Sequence, residues 1–188
     1  MAIPPKGIDY RPLNPSKKEI RLLRLHPEDE DHKSPIHTSL IKVSLSDDPF
    51  YHALSYCWGD ASSRDLVVVD GKPVSVTANL ATGLRELRRR EVRTLWANAI
   101  CINQGDEGEK GHQVAYMGNV YSRASGVFAW PGPKLGDSDL IMNEIESYSY
   151  TNIDNDQDST IVQLDDGRGN DLENAFANLL ERQYWRHA

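Results

Sequence analysis

The stretch from Thr94 to Gly132, TLWANAICINQGDEGEKGHQVAYMGNVYSRASGVFAWPG, constrains this chain most. Thr94 to Ile102 is an apolar, partly β-branched run, which predicts a buried strand. Asn103 to Glu109 carries two glycines, an Asn and three acids. That composition predicts a loop that opens a helix with negative charge at its N-terminus. Val114, Met117, Val120, Tyr121 and Ala124 then recur at helical spacing and predict one apolar face. Gly126 is expected to end the helix, and Val127 to Trp130 to form a short strand closed by Pro131-Gly132. The unit reads as βαβ, with a polar loop at the carboxyl end of its first strand.

The rest of the chain supplies partners for that unit. Residues 1–18 read as an extended, proline-rich lead-in, and 19–188 as one domain. Strands are expected at Glu19–Leu25, Ile36–Leu45 and Tyr51–Trp58. Asp70-Gly71 between the β-branched runs Leu66–Val69 and Val74–Thr77 predicts a hairpin. Asn79 reads as the N-cap of a helix striped by Leu80, Leu84 and Leu87. Helices are further expected at Ser138–Ser149 and Asp171–Tyr184, separated by a mobile acidic loop over 151–170. The expected class is α/β: a mostly parallel sheet flanked by helices, with added antiparallel N-terminal strands and a β-hairpin.

Charge and composition remove several functions. The net charge of −7 gives no global field for nucleic acid or an anionic membrane surface. The start, MAIPPKGIDY, has no apolar signal core, and the longest aliphatic run, Leu66 to Val69, is far too short to span a bilayer. Cys57 and Cys101 sit in apolar runs, as expected of packed, reduced thiols in a cytoplasmic protein. The six histidines show no paired metal-ligand spacing, and no P-loop, GxGxxG or GxSxG occurs, so no metal and no required cofactor is expected. The basic run from Arg85 to Arg93 is interrupted by Glu86 and Glu91 and reads as a solvated helix end.

Two strand ends carry the candidate site. Tyr51–Asp60 passes into Ser55, Tyr56, Trp58, Gly59 and Asp60; Thr94–Gln104 passes into Asn98, Asn103 and Gln104, with Asp106 beyond. Ligands of open α/β sheets bind outside the carboxyl ends of strands, so these residues would line one crevice if the two strands are neighbours. A flat aromatic beside carboxamides and acids suits a nucleoside or sugar better than a bare phosphate. Taken singly, each residue also has an ordinary reading as turn former, packed aromatic or solvated polar group. Asn98 stands among apolar neighbours, where an unpaired amide costs about 1–3 kcal/mol.

These motifs resemble a known family. YHALSYCWGD, DGKPVSVTANLATGLRELR, LWANAICINQGDEGEKGHQV and MGNVYSRASGVFAWPG are similar, in this order, to the HET (heterokaryon incompatibility) domain of filamentous fungi. The resemblance implies an effector of non-self recognition that triggers programmed cell death, alone or with other incompatibility and receptor-type proteins. A distant likeness of the family to Toll/interleukin-receptor (TIR) domains implies a flavodoxin-like sheet and cleavage of NAD as substrate. Ser55, Tyr56, Trp58, Gly59, Asp60, Asn103 and Gln104 would then bound the nucleotide, with the Asn98 and Asp106 positions catalytic. The family has Asp where this chain has Asn98, and continues beyond RQYWRHA to a Gln-Glu pair. Both departures lead us to expect an inactive form. The competing expectation is a non-enzymatic module that signals by self-association or partner recruitment.

Overall fold

The computed structural model describes residues 7–27, 35–58, 60–130 and 132, all within one compact unit. The helices expected at Ser138–Ser149 and Asp171–Tyr184, and the acidic loop at 151–170, lie outside the described residues. The elements in chain order are β1 (Glu19–Leu25), β2 (Ile36–Ser44), β3 (His52–Tyr56), β4 (Arg64–Val69), β5 (Lys72–Thr77), α1 (Ala78–Arg89), β6 (Thr94–Trp96), α2 (Asn98–Cys101), α3 (Glu107–Ser122) and β7 (Gly126–Trp130).

The strands form one sheet in the order β5-β4-β2-β1-β6-β3-β7. It is mixed: β1 and β5 run against the other five. The fold is therefore α/β, as expected, but the sheet is not mostly parallel, since three of its six pairings are antiparallel; β6, β3 and β7 form the parallel run beside the candidate site. The β4–β5 turn places Asp70 (φ 49°) and Gly71 (φ 77°) both in the left-handed region, the backbone that an Asp-Gly hairpin turn requires. Asp70 Oδ1 also accepts from the Leu40 N–H at 3.2 Å, which docks the turn on β2.

Several expectations change. The Thr94–Ile102 run is not a single strand: β6 ends at Trp96, and Asn98–Cys101 is one helical turn. A short apolar run cannot be told from a buried helical turn by periodicity, because both faces are covered either way. The Thr94–Gly132 unit is not a simple βαβ either, since β3 lies between β6 and β7. Its helix ends at Ser122, and Gly126 instead opens β7. On α3 the buried stripe is Gln113 and Val120, with Tyr116 and Met117 half-buried, while Val114 faces solvent.

The helix cap also moves. Thr77, not Asn79, caps α1, its Oγ1 accepting from Leu80 N. Helix α1 packs on β2, β4 and β5, while its Gly83 lies against Trp130 of β7 at the opposite edge. Ile20, Leu22, Leu54, Leu84, Leu95 and Trp96 are among the buried side chains of the resulting core.

Candidate functional site

β3 and β6 are parallel neighbours, with His52 opposite Leu95 and Ala53 opposite Trp96. The condition left open by the sequence, that these two strands are neighbours, is therefore met. Just past them, α2 turns across the end of β6. Ala97, at its N-cap, offers no side-chain acceptor; instead its N–H donates to Cys101 Sγ at 3.4 Å. The Asn98 carbonyl accepts from Gln104 Nε2 at 2.9 Å, which folds the following loop back over the turn.

Two polar atoms at this junction have no hydrogen-bond partner among the described residues: the Tyr56 hydroxyl and Asn98 Oδ1. Both are buried. The Ala99 N–H faces the Tyr56 hydroxyl oxygen, which puts that hydroxyl at the first turn of α2. Burial pushes the Tyr56 phenol far above its usual range, so it is a neutral O–H at any physiological pH. Trp96 Nε1, on β6, is a third buried polar atom in the same condition. Sequence reasoning did not single out Trp96, because a tryptophan in an apolar run looks like pure packing.

The β3 end is tied down by Asn79. Its Nδ2 donates to the Cys57 carbonyl at 2.7 Å, and its Oδ1 accepts from Trp130 Nε1 at 2.9 Å. One side chain thus joins the ends of β3 and β7 to the start of α1. Ser55 and Trp58 are half-buried, and Trp58 packs against the core. Gly59 lies outside the described residues. Asp60 is exposed and accepts from the Ser62 hydroxyl and N–H at 2.7 and 2.8 Å, bonds that hold its carboxyl below the usual range.

The loop after α2 is built from the other candidates. Asn103 Oδ1 accepts from Gly105 N at 3.1 Å, an Asx turn. Asp106 caps α3, its Oδ1 accepting from Glu109 N at 3.0 Å. Glu109 in turn accepts from Asn103 N at 2.8 Å and binds Arg21 through both oxygens, at 2.6 and 2.8 Å. Arg21 is 3% exposed; it also donates to the carbonyls of Cys101 and Arg11, and its guanidinium lies over the Tyr10 ring. Tyr10 donates to the Ile100 carbonyl at 2.9 Å. The lead-in is thus a strap bonded to α2 through Tyr10 and Arg21. The signal for Arg21 is an arginine on the Glu19–Leu23–Leu25 face of β1, where a buried cation needs a carboxylate. Which carboxylate, 88 positions away, is invisible in sequence.

Asn103 and Asp106 line a groove of about 270 Å³ between this strap and the start of α3. Ser55, Tyr56, Trp58, Asp60 and Asn98 do not line it. The candidates therefore divide: Tyr56 and Asn98 at the strand ends, Asn103 and Asp106 under the strap.

With this geometry in hand, the Heterokaryon incompatibility protein (HET) family model matches residues 51–188. The chain belongs to the HET family. It is also similar to heterokaryon incompatibility protein 6, OR allele, of Neurospora crassa: 35% identical over 162 residues, covering 79% of this chain and 24% of that protein. The chain therefore spans about a quarter of that relative's length. No solved structure matches it.

In this HET domain neither cysteine has the surroundings of a nucleophile. Burial pushes the Cys101 thiol up to about 12, and Cys57, half-buried, is raised by the same cause. Asn98 can donate and accept hydrogen bonds but cannot take a proton. Among the described residues no group of His, Cys, Asp and Glu has a metal-binding arrangement, and no helix is long and apolar enough to cross a membrane.

Proposed function

We propose that this HET domain serves fungal incompatibility as an effector that triggers programmed cell death, and that its ligand is NAD, bound at the carboxyl ends of β3 and β6. The observation that carries this reading is a pair of buried polar atoms without a hydrogen-bond partner among the described residues: Tyr56 Oη at the end of β3 and Asn98 Oδ1 at the start of α2, just past β6. Each leaves about 1–3 kcal/mol of hydrogen bonding unmade, and a ligand with matching groups would recover it. Cleavage of the nicotinamide–ribose bond needs a carboxylate to steady the ribosyl cation, and Asn98 is neutral. In this reading the chain binds NAD without turning it over, and a carboxylate at position 98 supplies the missing charge.

The test pairs binding with turnover. Ligand-observed NMR with NAD is expected to show saturable binding that Tyr56→Phe weakens. Asn98→Asp, in the chain extended through the family's Gln-Glu pair, is expected to release nicotinamide where the parent chain releases none. No binding by either form, and no nicotinamide from Asn98→Asp held in a crosslinked assembly, would sink the reading.

A second reading has its own support. Asp60, Asn103, Gln104 and Asp106 all engage nearby backbone, which suits structural turns better than chemistry. On that reading the domain kills by self-association or by recruiting partners. Expressing Asn98→Asp and Tyr56→Phe in a killing assay separates the two: killing unchanged by both, with cellular NAD steady, favours assembly.

A further inference from the structure

The groove under the strap has a chemistry of its own. One wall is Pro12, Leu13 and Pro15; the other includes Asp106, Glu109 and Gln113. Gln113 is 2% exposed, donates from Nε2 to the Glu19 carbonyl at 3.2 Å, and leaves Oε1 without a partner among the described residues. Asp106 gives Oδ1 to the helix cap, and no cation among the described residues pairs with it. Glu109 already holds Arg21, and Lys110 lies 3.4 Å from Glu107. What remains unused on these acids and the Gln113 amide is acceptor capacity and the charge of Asp106. The half-charge of the α3 N-terminus opposes a cation, but a full carboxylate at the cap outweighs it.

We propose that this groove binds a guanidinium or ammonium group on an aliphatic stem: an arginine or lysine side chain of a partner segment, or a free alkylamine. The cationic head lies between Asp106 and Gln113 Oε1, and the methylenes pack on the prolines and Leu13. An anion is disfavoured because Asp106 repels it and Gln113 Oε1 offers it no donor. The site is separate from Tyr56 and Asn98, so it stands whether or not NAD binds there.

The test is a titration of the isotope-labelled 188-residue chain followed by amide NMR shifts. The probes are ethylguanidinium, butylammonium, a capped Gly-Arg-Gly peptide and its neutral norleucine counterpart. The cations and the arginine peptide are expected to give saturable shifts at Tyr10–Leu13 and Asn103–Gln113, and the norleucine peptide none. Binding of the arginine peptide about tenfold tighter than the free ions assigns a partner segment; equal affinities assign a free amine. Asp106→Asn keeps the capping acceptor, and is expected to weaken binding about fivefold with the rest of the spectrum unmoved; Gln113→Leu should also weaken it. The proposal is overturned if no probe saturates by about 50 mM, if norleucine shifts the same amides equally, or if Asp106→Asn binds unchanged.

Discussion

A Cβ added to Gly83 would sit 3.0 Å from Trp130 Cδ1, because the indole lies flat against the helix there. The same indole is held by Asn79, so it cannot swing aside. Gly83→Ala is expected to cost about 1–3 kcal/mol in urea denaturation, despite the better helix propensity of alanine. Gly111, in α3, has nothing among the described residues near its missing Cβ, and Gly111→Ala should gain about 0.5–1 kcal/mol. Equal effects at both sites would show that propensity, not Trp130, decides. The thiols give a second residue-scale expectation. In the native protein at pH 8, iodoacetamide should label Cys57 first, and Cys101 only once denaturant is added; matching rates by mass spectrometry would contradict the burial of Cys101. At this scale the sequence marked Asn98 as a position that must be satisfied or functional, since a lone amide in an apolar run is conspicuous. It could not show that Tyr56 shares the problem, because a tyrosine in a strand normally finds a partner for its hydroxyl.

Among elements, the joint that matters most is the one between the strap, β1 and the start of α3. Arg21 and Glu109 are 4% and 12% exposed at the side chain and bond through two oxygens. Removing one partner strands the other, so Arg21→Met or Glu109→Gln should each cost about 3–5 kcal/mol. The double replacement Arg21→Met with Glu109→Met should cost far less than the sum, with a coupling of roughly 0.5–3 kcal/mol by a double-mutant cycle. Additive losses would mean that the pair is not a unit. Much of the element plan was legible beforehand, because alternation marks β1, β2 and the Asp70-Gly71 hairpin, and three- and four-residue spacing marks α1. Leu95 to Ile102 was not, since a run buried on both faces carries no period. Pairings between distant segments were not legible either; nothing local tells β3 that its neighbours are β6 and β7.

For the whole molecule, several carboxyls titrate below their usual range. Arg89 and then Arg90 hold Glu86 down to about 2, and the Asn14 N–H lowers Glu19. A carboxyl whose folded pKa is depressed adds stability above the unfolded value near 4.5 and loses it as the pH falls toward the folded value. Stability should therefore decline from about pH 4.5 downward, and Glu86→Gln should shallow that decline. The arginines are mostly exposed, so water screens the pair and the change should be about 1 kcal/mol or less. A melting curve for Glu86→Gln with an unaltered acid slope would remove Glu86 from the account. The strand order has a consequence in time as well as space. On a ribosome β3 emerges early, but His52 must wait for Leu95 and then for Gly126 before both its edges are paired. Until then a strand with an apolar core lies open, so nascent chains are most exposed to chaperones and misassembly during synthesis of α3.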